Sequence, residues 1–202
     1  MCKRGGYVSI RHNQIRDLEA KLLSEVYRDV TTEPHLLPLS GEVFPRSTNT
    51  SQEARLDVSA RGVWNAMDKT LIDIRVFHPG APSNAILPVP NMYKKHEDEK
   101  KRTYNRRIIE VEKATFTPLV FSTSGGMGKE AVSFHKRLAL LISLKRGDLY
   151  SNVMSYVRKR ISFTILKATL LAIRGFRGKP KTQVGIPENS DLNLIPLHQA
   201  ND

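Results

Sequence analysis

Arg55–Gly62 reads RLDVSARG, and Leu71–Val76 reads LIDIRV; between them lie only eight residues rich in polar and small side chains. In the first stretch Leu56, Val58 and Ala60 alternate with Arg55, Asp57, Ser59 and Arg61. In the second, Ile72, Ile74 and Val76 alternate with Asp73 and Arg75. Strict period-2 alternation with β-branched residues predicts two half-buried strands, Ala54–Arg61 and Leu71–Phe77, and the segment Gly62–Lys69 joins them as a hairpin. Successive side chains leave a strand on opposite faces, so Asp73 and Arg75 share one face and Asp57 stands opposite Leu56, Val58 and Ala60.

Paired in a hairpin, the two strands present Asp57 and Asp73 from one face. Two carboxylates suit a hard cation such as Mg²⁺ or Mn²⁺, which takes one or two acidic ligands plus water and substrate phosphate. Such an ion activates a water and offsets charge developing on a phosphate. The same pattern also describes ordinary solvent-facing charges on an amphipathic hairpin.

Working outward, a helix is expected from Asn13 to Val30, with Ile15, Leu18, Leu22, Val26 and Val30 at helical spacing and Asn13 as N-cap. Glu19 falls inside its apolar arc, and an unpaired buried carboxylate costs several kcal/mol, so it requires a metal, a cation or a hydrogen-bond partner. A Pro-containing stretch, Pro34–Pro45, and a polar loop through Ser51 precede the hairpin. Beyond it come a Pro-rich break, a charged helix from Tyr93 to Glu112, a strand Phe116–Ser122, and a helix through Ala131, Phe134, Leu138 and Leu141. A last helix spans Ser151–Arg174. The order is helix, β-hairpin, helix, strand, helix, with an extra C-terminal helix: an α/β domain over residues 13–174. From Gly175 the chain has no sustained apolar period, which predicts a disordered tail over 175–202.

On the charged helix, Lys100 and Lys101 stand four and three residues before Tyr104, so all three share a face. A lysine can orient an attacking water and a tyrosine can hydrogen-bond a phosphate. The run KKHEDEKKRTYNRR also reads as a solvated, salt-bridged face.

Composition fits a polyanionic partner: among 202 residues the net charge is +12, and 40% are hydrophobic, enough for a core. Between Lys145 and Lys181 ten basic residues face a single acid, Asp148. Such a stripe suits a phosphate backbone, and a basic helix also suits an anionic membrane surface. Cys2 is the lone cysteine, which rules out a disulfide framework or a cysteine zinc site within this sequence. With no apolar leader segment and Lys167 interrupting the most hydrophobic run, the expectation is an intracellular protein with no membrane partner.

Other motifs carry less. TSGGMGKE lacks the Walker spacing, since Thr123 and Glu130 stand where Gly and Ser or Thr are needed, leaving a tight turn able to contact a DNA phosphate. The six histidines show no zinc-hydrolase spacing, and His135 is expected on a helix surface. Trp64 caps the core or stacks on a base.

Taken in order, RLDVSARG, LIDIRV, EKKRTYNRR and TFTPLVFSTSGG, opened by IRHNQIRDLEAKLLSEV, resemble the restriction-like endonuclease domain that follows the reverse transcriptase of non-LTR retrotransposons. The resemblance covers Gly6 to Arg174. It implies a PD-(D/E)xK fold and a nuclear enzyme that nicks target DNA for the reverse transcriptase. Asp57 and Asp73 match the two acidic metal ligands, Glu19 the acid of the first helix, and Arg75 the place of the motif's lysine. Leu56 replaces the motif's proline. Arginine is a broader fork that stays protonated, and in this family the lysine moves to the following helix beside a tyrosine, which implies Lys100 or Lys101 with Tyr104, Lys101 being favoured by its three-residue spacing. Lys100, Arg106, Arg158, Lys159 and Arg160 are then nucleic-acid contacts. Residues 1–12, with Cys2 and His12, read as the remnant of a preceding zinc knuckle, and the chain as a C-terminal piece of an element protein. The alternative is a catalytically inactive, nucleic-acid-binding remnant of that domain.

Overall fold

In a computed structural model, residues 6–37, 55–84 and 86–174 are described. The expected tail 175–202, Cys2, and most of the Pro-containing and polar segments before the hairpin lie outside them.

Helix α1 runs Tyr7–Ser24, beginning six residues before Asn13, from Gly6 at φ 72°. It also stops earlier than expected. Val26 and Val30 continue the apolar count, but the chain leaves the helix at Glu25 and forms strand β1, Arg28–Thr32. The β-branched run Val30-Thr31-Thr32 favours strand. Its register against the next strand shifts between Arg28 and Thr31, where Asp29 adopts φ 52°.

Strand β2 is Val58–Arg61 and β3 is Lys69–Phe77, antiparallel with Val58 opposite Ile72 and Arg61 opposite Lys69. Helix α2, Val89–Arg107, starts four residues before Tyr93, because Pro90 sits in its first turn, where a missing N–H is no loss. A π-helical turn, Ile108–Glu112, ends it, with Lys113 at φ 49°. Strand β4, Thr115–Ser122, lies parallel to β3 and completes a four-stranded mixed sheet of order β1-β2-β3-β4. Helices α3, Lys129–Arg146, and α4, Tyr150–Arg174, follow, separated by Gly147 at φ 73°.

Alternation along β3 and β4 divides the sheet's faces. Ile72, Ile74, Leu119 and Phe121 join Ile15, Leu22, Phe134, Leu138, Val157 and Ile161 in the main core, beneath α1, α3 and α4. Each such fully buried aliphatic side chain stabilises by about 1.5–3 kcal/mol relative to exposure. The opposite face carries Leu71, Asp73, Arg75 and Phe77 toward α2. Two smaller clusters form there, around Leu71, Leu56 and Ile108 and around Phe77, Met92 and Val120. This mixed α/β architecture has helices on both faces, and Asp73 lies under α2. Among the described residues, no helix is long and apolar enough to cross a membrane.

Candidate active site

The parity expected for Asp57 fails in a way that creates the site. Leu56 does not share the face of Val58 and Ala60; it packs with Leu71 and Ile108 on the α2 side. The chain bends at Asp57, and the preceding residues pair toward β1. Glu33 N–H donates to Asp57 O at 2.9 Å, Leu56 N–H to Pro34 O at 3.2 Å, and Arg55 bridges His35. β2 thus forks away from β3 at Asp57, whose own N–H still reaches Ile72 O at 3.1 Å. Past the fork, the Asp57 carboxylate accepts the Ile74 N–H at 2.5 Å. A side chain takes over where the partner strand's backbone has left.

His12 of α1 closes the other side of the fork. Its Nε2 lies 3.2 Å from the Asp57 carboxylate and 3.1 Å from Ile74 O. A carbonyl only accepts, so Nε2 carries the proton. The hydrogen bond that His12 donates to Asp57, opposed by partial burial, raises the His12 pKa. His12 belongs to helix α1 and not to a leftover N-terminal segment. Its place on α1, three residues before Ile15 and seven before Glu19, is the signal that aligns it with the buried face.

Asp73 is buried beneath α2, and its Oδ2 sits 2.7 Å from Lys100 Nζ. Burial, against the pull of Lys100 and with the added repulsion of Asp57, lifts its pKa to about 6. Burial also opposes the charge on Lys100, but the charge of Asp73 and its hydrogen bond prevail and raise the lysine's pKa. One turn on, the Tyr104 ring lies 5.6 Å from Lys100 Nζ and 5.8 Å from Phe116. Burial and the charge of Asp73 raise its hydroxyl pKa.

Lys101 is elsewhere. Adjacent helical residues point about 100° apart, and Lys101 reaches Glu130 of α3 at 2.5 Å. The four-residue spacing of Lys100 to Tyr104, not the three-residue spacing of Lys101, marks the face laid on the sheet. Arg75 does not supply a second cation at Asp73: it pairs with Glu99 at 3.0 Å.

Glu19 is fully buried, as its position in the apolar arc required, but its partner is His135. His135 is no surface residue; it is fully buried, with Nε2 2.9 Å from the Glu19 carboxylate and Nδ1 2.6 Å from Ala131 O. Both ring nitrogens face acceptors, so the imidazole is the cation of a buried pair. Burial opposes that charge, yet Glu19 holds the pKa above the ordinary value. Glu19 joins α1 to α3, two helical turns from the His12 that meets Asp57.

The glycine turn before α3 is likewise internal. Glu97 Oε1 accepts the Glu130 N–H at 3.1 Å, so a carboxylate of α2 already occupies the helix terminus that a DNA phosphate could contact. A Cβ on Gly128 would lie 2.2 Å from that oxygen, which is why glycine stands there. Trp64 caps the core, donating from Nε1 to Thr117 Oγ1 at 2.8 Å. Arg106 is exposed and paired with Glu110 at 3.1 Å, while Arg158, Lys159 and Arg160 are exposed on α4, across the sheet from Lys100.

Among the described residues, no group of three or more His, Cys, Asp or Glu side chains is placed to hold a metal. Mg²⁺ needs less, because it keeps several waters and uses one or two carboxylates. His12 Nε2 already shows that an Asp57 oxygen and Ile74 O converge on one electropositive atom. The carboxylates of Asp57 and Asp73 are the oxygen donors such an ion would take. No protein-family model matches the chain, and no curated protein matches it.

Proposed function

We propose that the chain is a divalent-metal-dependent DNA endonuclease domain of the restriction-like PD-(D/E)xK type, belonging to a nuclear retroelement protein whose reverse transcriptase uses the nick. The observation that carries this reading is the fork itself: Asp57 at the parting of β2 and β3, and a buried Asp73 with Lys100 at 2.7 Å. The order of family-like segments supports it.

Asp57 and Asp73 would hold Mg²⁺ or Mn²⁺, which when bound supplies Lewis-acid activation of water and charge neutralisation at the phosphate. Lys100 then has its acidic partner engaged elsewhere, and its ammonium is available to orient the attacking water and stabilise charge on the phosphoryl oxygens. Tyr104 fixes the lysine through its ring and offers a hydroxyl to phosphate. His12 holds the Asp57 carboxylate in orientation, as hydrogen-bonded outer partners do for metal-ligating carboxylates. Glu19 and Arg75 have structural roles in this account.

The second reading, an inactive nucleic-acid-binding remnant, is favoured by one observation: Arg75, in the place of the motif's lysine, is committed to Glu99. Purified protein with supercoiled plasmid separates the two. The nuclease reading expects open-circular product with Mg²⁺ or Mn²⁺, none in EDTA, and none from Asp73→Ala. Equal backgrounds from wild type and Asp73→Ala overturn it and leave the remnant.

A further inference from the structure

A groove of about 370 Å³ runs between α1 and α4, lined by Gln14, Asp17 and Lys21 from one helix and Arg160, Thr164 and Lys167 from the other. The spacings explain the lining. Gln14, Asp17 and Lys21 stand at i, i+3 and i+7 on α1, and Arg160, Thr164 and Lys167 at i, i+4 and i+7 on α4, so each set forms one stripe. Gln14 is two residues from His12 and therefore points to the other flank of α1; the groove is separate from the Asp57 fork.

Its charge is unbalanced. Among the described residues no carboxylate pairs with Lys21, Arg160 or Lys167, and α4 contains no Asp or Glu over its whole length. Asp17, the acid in the groove, is held by Arg16 at 2.8 Å. Arg160 is braced by the Tyr156 ring at 5.8 Å, and Arg158 and Lys159 extend the positive field along the helix. Across the open groove Lys21 of α1 faces Arg160 and Lys167 of α4, and these three cations, with the Gln14 amide beside them, form a seat for a chain of phosphodiesters.

We infer that the α1–α4 groove binds a nucleic-acid backbone independently of the Asp57–Asp73 site, holding the polyanion by Lys21, Arg160 and Lys167. The inference deepens the nuclease reading by giving its substrate a second hold, and it rests on that reading for the identity of the polyanion. Phosphate contacts carry no sequence information, so this surface supplies affinity and not target choice.

The test is fluorescence anisotropy of a labelled 20-base-pair DNA with the full chain in EDTA, where no cleavage occurs. The triple variant Lys21→Glu, Arg160→Glu, Lys167→Glu is compared with wild type and with a charge-matched control at exposed Lys94, Arg102 and Lys136. Each lost phosphate contact lowers the slope of log affinity against log salt by about 0.9. The groove variant should therefore bind at least tenfold more weakly at low salt with a slope shallower by about 2–3, and the control should change several-fold less. Neutral Gln substitutions at the same three positions should give the same order of effect, which guards against misfolding of the Glu variant. Equal losses in groove variant and control overturn the inference, as does wild type that binds anionic phosphatidylserine vesicles and not DNA. Failure of nicking with intact EDTA binding would refute the nuclease reading alone.

Discussion

Replacing Glu19 by alanine removes the anion from a pair in which both members are fully buried. His135 then keeps its Nδ1 bond to Ala131 O but loses its only carboxylate, and either stays charged without a counter-ion or gives up its proton and leaves Nε2 unmatched. Removing one member of a buried pair costs about 3–5 kcal/mol, a large part of the roughly 5–15 kcal/mol that holds a domain together. For a domain of this size that corresponds to a Tm fall of about 6–20 °C. Glu19→Gln should cost less, since the amide can still hydrogen-bond a neutral imidazole.

The pair also sets a pH signature. The folded pKa of His135 lies above its unfolded value, so the folded state binds the extra proton. The stabilisation is fully present below about pH 6.5 and is lost as pH rises through the raised folded value. Urea denaturation at pH 6 and at several points up to pH 9 reads both effects: wild type should lose stability across that range, and Glu19→Gln should show a flatter profile. A cost under about 1 kcal/mol for Glu19→Ala, or the same pH slope in wild type and Glu19→Gln, would refute the reasoning.

Gly128→Ala forces the Glu97 carboxylate off the Glu130 N–H, and loss of that N-terminal bond should destabilise by about 1 kcal/mol in urea melts; an unchanged midpoint would contradict the close approach. His12→Ala should leave stability within about 1 kcal/mol, because the ring is one-third exposed. Metal-dependent nicking by the same variant should fall about 10–100-fold, as for other outer partners of metal ligands; nicking at the wild-type rate would remove His12 from the site.

Much of the frame is legible in the sequence because it depends on periodicity. The β2–β3 hairpin, the β4 strand and the last two helices follow from alternation and helical spacing within single segments. β1 is hidden because Val26 and Val30 satisfy a helical count while packing against the same core from a turn and a strand. The burial of Glu19 is readable from its neighbours on α1, but its partner is 116 residues away, where spacing has no reach. Asp57 is identified for a reason that does not hold: the fork, not strand parity, aims its carboxylate. Lys100 and Lys101 are equivalent to any count of charge, and only the packing of α2 on the sheet distinguishes them. His12 is within reach of the same spacing, since extending α1 by one residue beyond Asn13 places it one turn before Ile15 and two before Glu19.

The central claim is that Asp57, Asp73 and Lys100 form a hydrolytic site, and single-turnover plasmid nicking in Mn²⁺ by Lys100→Met and Lys101→Met tests it most directly. Wild type should nick, Lys100→Met should lose about a hundredfold or more, the scale of removing one transition-state charge stabiliser, and Lys101→Met should stay within about threefold of wild type. Equal rates for the two variants, or no metal-dependent nicking by wild type, would contradict it.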